Sequence, residues 1–124
     1  MVSPINGHCY FAINNSVDYS TALNNSCPAG THLATLGDLA ETEAGLLAMG
    51  AVTDAYIALK APTTLGQYVW QAPSFEVFNS TRYHGFTGAE PNENAAPNCG
   101  RLVAGIGWKD KGCNDLFGTL CERD

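Results

Sequence analysis

At 124 residues the chain is long enough for one hydrophobic core, and its 45% apolar content excludes a disordered segment. A net charge of −6, with only six Lys or Arg scattered along the sequence, argues against nucleic acid and anionic membrane as partners. No apolar run approaches the ~20 residues of a membrane span, so membrane insertion is not expected, and residues 1–124 read as one domain.

Residues 8–13 (His8-Cys9-Tyr10-Phe11-Ala12-Ile13) read as a strand. Ser16 offers an N-cap oxygen to a short helix, in which Tyr19, Ala22, Leu23 and Ser26-Cys27 recur at helical spacing. Cys27 therefore sits on or beside the buried stripe, and Pro28-Ala29-Gly30 ends the helix. Thr31-His32-Leu33-Ala34 crosses to a second helix, capped by Thr35 with Asp38 three residues on. Leu39, Leu46, Leu47 and Met49 form its apolar side, and Gly50 stops it. Residues 55–59 and Gly66 to Trp70 read as two further strands, the first of them buried. From Gln71 to Asn98 periodicity fails, and Asn, Pro, Gly, Ser and Thr dominate. Phe75, Phe78, Tyr83 and Phe86 mark this stretch as an ordered loop with a small core of its own, and long loops of this kind are usually functional. Residues 102–106 and 118–122 close the chain as strands.

The five cysteines are spaced 18, 72, 14 and 8 apart, with no Cys-x-x-Cys pair. That pattern points to disulfides in an oxidising compartment, with one thiol left over, and away from a zinc cluster. No leader is visible. Met1 reads as the start of an excised domain, so this does not count against secretion. Asn14, Asn24 and Asn79 each open an N-glycosylation acceptor pattern, which chance also produces in so Asn-rich a chain. His8, His32 and His84 lie far apart, none at metal-ligand spacing, and each reads as structural or solvent-facing. No Gly-rich phosphate loop, nucleophile elbow or matched carboxylate pair appears, so the chain reads as a binding protein and not an enzyme.

The order of elements and the pieces Gly7-His8-Cys9-Tyr10-Phe11, Tyr56-Ile57-Ala58-Leu59, Glu90-Pro91-Asn92, Trp108-x-Asp110-x-x-Cys113 and Leu120-Cys121-Glu122 resemble a C-type lectin-like domain from about Asn6 to Arg123. The resemblance implies an α+β fold, two helices flanking small antiparallel sheets with a long irregular loop region. It implies disulfides Cys27–Cys121 and Cys99–Cys113. Cys9 matches a cysteine whose partner would lie upstream of this chain, which leaves it a free thiol. The resemblance also implies a Ca²⁺ site in which Glu90, Asn92 and Asp110 are ligands and Pro91 is a cis-proline aiming the first two. Two positions depart from the pattern. Pro97 replaces an acidic ligand and offers no side-chain oxygen, and Lys109 stands where an asparagine is expected. Glu93, Asn94 or Asn98 could supply the missing oxygen, because Ca²⁺ tolerates irregular oxygen shells. Alternatively Lys109 pairs with Glu90 or Asp110 and replaces the metal.

By residue type alone, Glu90-Pro91-Asn92 reads as a rigid turn, Trp108 as core and Asp110 as a turn cap. The leading function is a secreted or surface-displayed module binding mannose-type glycans through Glu90, Asn92, Asn98, Lys109 and Asp110, with Ca²⁺ as the candidate cofactor. A calcium-independent module that uses the 71–98 loop aromatics to bind a protein is the rival, and ice binding is a third reading.

Overall fold

The computed structural model describes residues 3–5, 7–61, 67–78, 83–88 and 97–124. Its centre is the apolar run in the middle of the chain. Asp54–Ala61 forms the fourth strand, β4, with Ala55 through Leu59 all buried. A strand covered on both faces reads as a continuous apolar run, which is the pattern found here.

In chain order the strands are β1 (Ser3–Ile5), β2 (His8–Val17), β3 (His32–Leu33), β4, β5 (Val69–Trp70), β6 (Glu76–Val77), β7 (Asn98–Val103), β8 (Gly107–Gly112) and β9 (Phe117–Arg123). The sheet runs β1-β2-β9-β4-β5-β6, with β3 paired to β9, and β7 bridging β4 to β8. The expected fold class holds. The separate small sheets join into one mixed sheet because β9 runs parallel to β4 at Ala55↔Gly118 and Tyr56↔Thr119, while every other ladder is antiparallel. Ala34 fills the fork between the two strands. Its N–H donates to Leu120 O at 2.9 Å and its carbonyl accepts from Ala58 N at 2.7 Å.

The first helix starts later than the sequence suggests. Ser16 lies inside β2, which continues past an irregularity after Ile13 to pair Val17 with Phe117. Asp18 takes the cap instead, accepting from Thr21 N at 3.0 Å. The α-turn α1 (Tyr19–Thr21) then widens into a π-helical turn over Ala22–Ser26.

The second helix, α2 (Leu39–Ala48), is capped by Asp38 and not by Thr35. Asp38 Oδ1 accepts from Glu41 N at 2.8 Å, and Glu41 reaches back to Gly37 N at 2.7 Å. Thr35 serves the tertiary structure. Its hydroxyl donates to Ala72 O, and its N–H donates to Glu122 Oε1. The buried side of α2 matches the expected one only in part: Met49 is buried and Leu46 packs against the core. Thr42, Ala44, Gly45 and Ala48 face inward, with Met49 just beyond, whereas Leu39 and Leu47 are 58% and 74% exposed. A Cβ on Gly45 would lie only 3.1 Å from Leu120 and 3.2 Å from Leu102. At Gly45 the helix approaches the sheet too closely for a large side chain.

Both implied disulfides are present. Cys27–Cys121 ties the π-helical end of the first helix to β9, and Cys99–Cys113 ties β7 to the end of the β8 hairpin. Cys9 is free and half-buried.

Among the described residues the loop aromatics form no separate core: Phe78, Tyr83 and Phe86 pack against the main one, centred there on Trp108. The indole is fully buried, with ring centroids of Trp70, Tyr83, Phe86 and Phe78 at 5.5, 5.8, 5.4 and 5.9 Å. Mostly these are edge-on arrangements, which favour aromatic pairs. Its Nε1 donates to Thr42 Oγ1 at 3.2 Å, and its backbone N donates to Gly85 O at 2.8 Å. A Cβ on Gly85 would fall 2.3 Å from that same Nε1. Gly85→Ala should therefore push Trp108 off its seat and destabilise the fold by about 1–3 kcal/mol, read as a lowered midpoint in chemical denaturation.

Candidate functional site

The β7/β8 hairpin brings the described part of the predicted site together. Its register sets Gly100 opposite Asp110 and Asn98 opposite Gly112, so Asn98 and Asp110 are diagonal neighbours on one face. Alternation along β8 puts Trp108 and Asp110 on that same face, and both are buried. Lys109 falls on the other face, and Lys109 and Asp110 form no ion pair among the described residues.

Around Asp110 the polar groups are closely connected. Asn98 Nδ2 donates to Asp110 Oδ2 at 2.8 Å and to the Tyr68 hydroxyl at 2.6 Å, and Tyr68 OH lies 3.4 Å from Asp110 Oδ2. Exposures of 0% for Asn98, 2% for Asp110 and 3% for Tyr68 mean that solvent satisfies none of these groups. Asn98 Oδ1 is buried without a hydrogen-bond partner among the described residues. Arg101 fixes the strand from behind: Nη1 donates to the Asp110 carbonyl and Nε to Asp54 Oδ1, each at 2.9 Å. Glu90, Pro91, Asn92, Glu93 and Asn94 lie outside the described residues.

Trp108 takes the core role that its residue type suggests. The loop aromatics divide. Phe78, Tyr83 and Phe86 pack on Trp108, whereas Phe75 is 78% exposed and its β6 neighbour Val77 80%.

A second polar cluster escaped the sequence reading. His8 and His32, far apart in sequence, meet at the end of the chain. Pairing of Cys9 with Arg123 in β2/β9, and of His32 with Glu122 in β3/β9, carries both imidazoles to the last residues. His8 Nδ1 lies 2.6 Å from Glu122 Oε2 and 2.9 Å from Asp124 Oδ1. His32 Nε2 lies 2.9 Å from Asp124 Oδ2, and its Nδ1 lies 2.8 Å from Leu33 O. Burial works against the His8 imidazolium, but the charge and hydrogen bond of Glu122, with those of Asp124, outweigh it and raise the His8 pKa above its ordinary value. Burial pushes the Glu122 carboxyl above the usual carboxylate range despite the Thr35 N–H bond. Burial acts upward on Asp124 too, but the hydrogen bond and charge of His32 carry it below the usual range. The signal was available: pairing the first and last predicted strands antiparallel sets His8 against the C-terminal acids.

No protein-family model matches the chain, and no curated protein matches it in sequence. Solved structures do. A Ca²⁺-dependent type II antifreeze protein in its Ca²⁺-free form superposes with a TM-score of 0.81 at 16% identity, over 99% of this chain and 97% of that one. A calcium-independent type II antifreeze protein gives 0.75 at 18% identity, over 98% and 90%. The cow C-type carbohydrate-recognition domain of CD23, in the presence of a GlcNAc2Man3 oligosaccharide, gives 0.77 at 18% identity, over 98% and 92%. The chain therefore has the C-type lectin fold. At such identities the likeness extends to the fold alone.

The Tyr68 hydroxyl receives one of the two hydrogen bonds that orient Asn98. Tyr68→Phe keeps the ring against Phe78 and Phe86 but strands one Asn98 N–H in a dry site. The variant should lose about 1–3 kcal/mol of stability in urea denaturation with an unchanged m-value.

Proposed function

We propose that this chain acts as one secreted or surface-displayed binding domain that takes mannose-type glycans through Ca²⁺, with Glu90, Asn92 and Asp110 as metal ligands. The observation that carries this reading is the buried pair of Asn98 and Asp110. Asp110 brings a carboxylate, and Asn98 brings a carboxamide oxygen with no hydrogen bond among the described residues. A buried polar oxygen without a partner is costly, and a cation is one way to satisfy it. Asn98 would thus supply the oxygen that Pro97 cannot. With Glu90 and Asn92 the donor set is all oxygen, the chemistry that suits Ca²⁺. Lys109, on the opposite face of β8, is the remaining member of the proposed ligand-contact set, at its edge.

In this reading Glu90 and Asn92 do two jobs, holding the cation and contacting the sugar. The carboxylate accepts from one hydroxyl and the carboxamide donates to its neighbour. Bound Ca²⁺ supplies direct coordination of the two vicinal hydroxyls. No bond is made or broken. Secretion is supported by the two disulfides, and no helix among the described residues is long and apolar enough to cross a membrane.

One observation favours a second reading. Phe75 and Val77 are large apolar groups held in the open beside Glu76. They would anchor a protein partner without calcium, and they replace the buried Phe78, Tyr83 and Phe86 in that role.

On a glycan array in calcium the protein should retain mannose, fucose or N-acetylglucosamine termini, release them in chelator and ignore galactose. Glu90→Gln with Asn92→Asp should shift that preference toward galactose. Monosaccharide affinity should be on the order of millimolar, so detection needs multivalent display. Absence of any calcium-dependent retention, with partner capture that disappears in Phe75→Ser/Val77→Ser, would replace the first reading with the second.

A further inference from the structure

We propose that the cluster where β2, β3 and β9 end is a site for a first-row divalent transition ion of the Zn²⁺ class, ligated by His8 Nδ1, Glu122 Oε2 and Asp124 Oδ1. It is separate from the Asp110 region in residues and strands. These ligand atoms already lie within 4.8 Å of one another. Metal–ligand bonds of about 2.0–2.2 Å set neighbouring donors about 2.8–3.1 Å apart in an octahedral shell and about 3.3–3.6 Å apart in a tetrahedral one. The 2.6 and 2.9 Å separations around His8 Nδ1 are close to the first and would widen by about 0.4–1 Å for the second.

Hydrogen bonding alone serves the cluster poorly. His8 Nδ1 carries at most one proton, yet it faces two carboxylate oxygens. A divalent ion in place of that proton bonds all three atoms at once, and the proton leaves to solvent. His32 is built as the positioning residue. Leu33 O and the outer oxygen of Asp124 can only accept, so His32 bonds both at once when both ring nitrogens carry a hydrogen, Nδ1 donating to the first and Nε2 to the second. That fixes the carboxylate with Oδ1 turned to His8, the kind of outer-shell support that metal ligands commonly have. Glu122 is anchored likewise, its other oxygen accepting from Thr35 N at 2.9 Å.

The donor set selects the ion. One imidazole with two carboxylates suits Zn²⁺ and its first-row neighbours, whereas Ca²⁺ takes oxygen alone. Side-chain exposures of 32% for His8 and 50% for Asp124, against 3% for Glu122, leave one side of the site open. A bound ion would keep a coordination position there for water or for a donor from another molecule.

The test uses tag-free protein stripped with chelator, in wild-type and Cys9→Ser forms, because Cys9 is a free thiol adjoining His8. Calorimetric titration with Zn²⁺ should show one ion per chain in both forms, unchanged by excess Ca²⁺, and Co²⁺ should give the visible absorption of a low-coordinate site. His8→Gln and Asp124→Ala, both at part-exposed positions, should each weaken Zn²⁺ binding at least ~10-fold, and His32→Gln about 10- to 100-fold. Absence of binding, full affinity in His8→Gln and Asp124→Ala, or binding that vanishes with Cys9→Ser would overturn the assignment.

Discussion

The rest of the structure depends on the placement of the last strand. β9 pairs with β2, β3 and β4, so the N-terminal strands, the central strand and the first helix are all positioned against Phe117–Arg123. Such pairings join residues far apart in sequence, and chain entropy is lost before they return any energy. Cys27–Cys121 closes a separation of 94 residues, which the chain-entropy account values at about 4–5 kcal/mol of restriction on the unfolded state. The parallel contact of β9 with β4 then lets one strand belong to both halves of the sheet. Its cost is tight packing: a Cβ on Gly118 would lie 2.8 Å from Val52 and 2.9 Å from the Ile13 carbonyl, so that crossing has no room for a side chain.

Trp108 transmits this order to the described loop residues. It stands on β8 next to the Cys99–Cys113 staple, and the loop supplies Phe78, Tyr83 and Phe86 as its cover. The cover and the polar face are linked through Tyr68, whose ring stacks with Phe78 and Phe86 while its hydroxyl accepts from Asn98. Packing of apolar rings therefore determines where a buried amide and a buried carboxylate stand. A shift of these rings would be felt at Asn98 before it was felt at the surface.

The parts of the fold legible in the sequence were those with one dominant physical signal. The apolar run of β4 and the glycine ending α2 at Gly50 were of this kind, whereas the pairing of the cysteines came from the family resemblance. The errors came where tertiary structure overrode a local preference. Ser16 is a good cap by type but lies inside β2, just before Val17 pairs with Phe117, so Asp18 caps instead. Leu39 and Leu47 were expected on the inner side of α2 with Leu46 and Met49, but they are exposed, and at Gly45 the close approach to Leu102 and Leu120 leaves no room for a large side chain. At the candidate site, Asp110 and Asn98 were legible as oxygen donors. Their mutual hydrogen bond, and the part of Tyr68 in it, were not, because these follow from the β7/β8 register. The histidine cluster was missed because it was judged by sequence spacing, whereas a sheet brings ligands together by strand pairing.

If both proposed sites hold ions, one acidic chain would sort cations. A net charge of −6 attracts any cation, so electrostatics alone gives no selectivity. Selectivity must come from donor type. At Asn98 and Asp110 the described donors are oxygens, and the proposed additions Glu90 and Asn92 are oxygens as well. At the ends of β2, β3 and β9 two imidazoles enter, and only one of them points a nitrogen at both carboxylates. The same bulk charge thus offers a hard-oxygen environment to an alkaline-earth ion and a mixed environment to a transition ion. Burial sharpens the difference. In the first cluster the side chains are almost fully enclosed, so any ion there must replace internal hydrogen bonds. In the second, Glu122 is enclosed while His8 and Asp124 reach solvent, so an ion displaces a proton and gives up little hydrogen bonding.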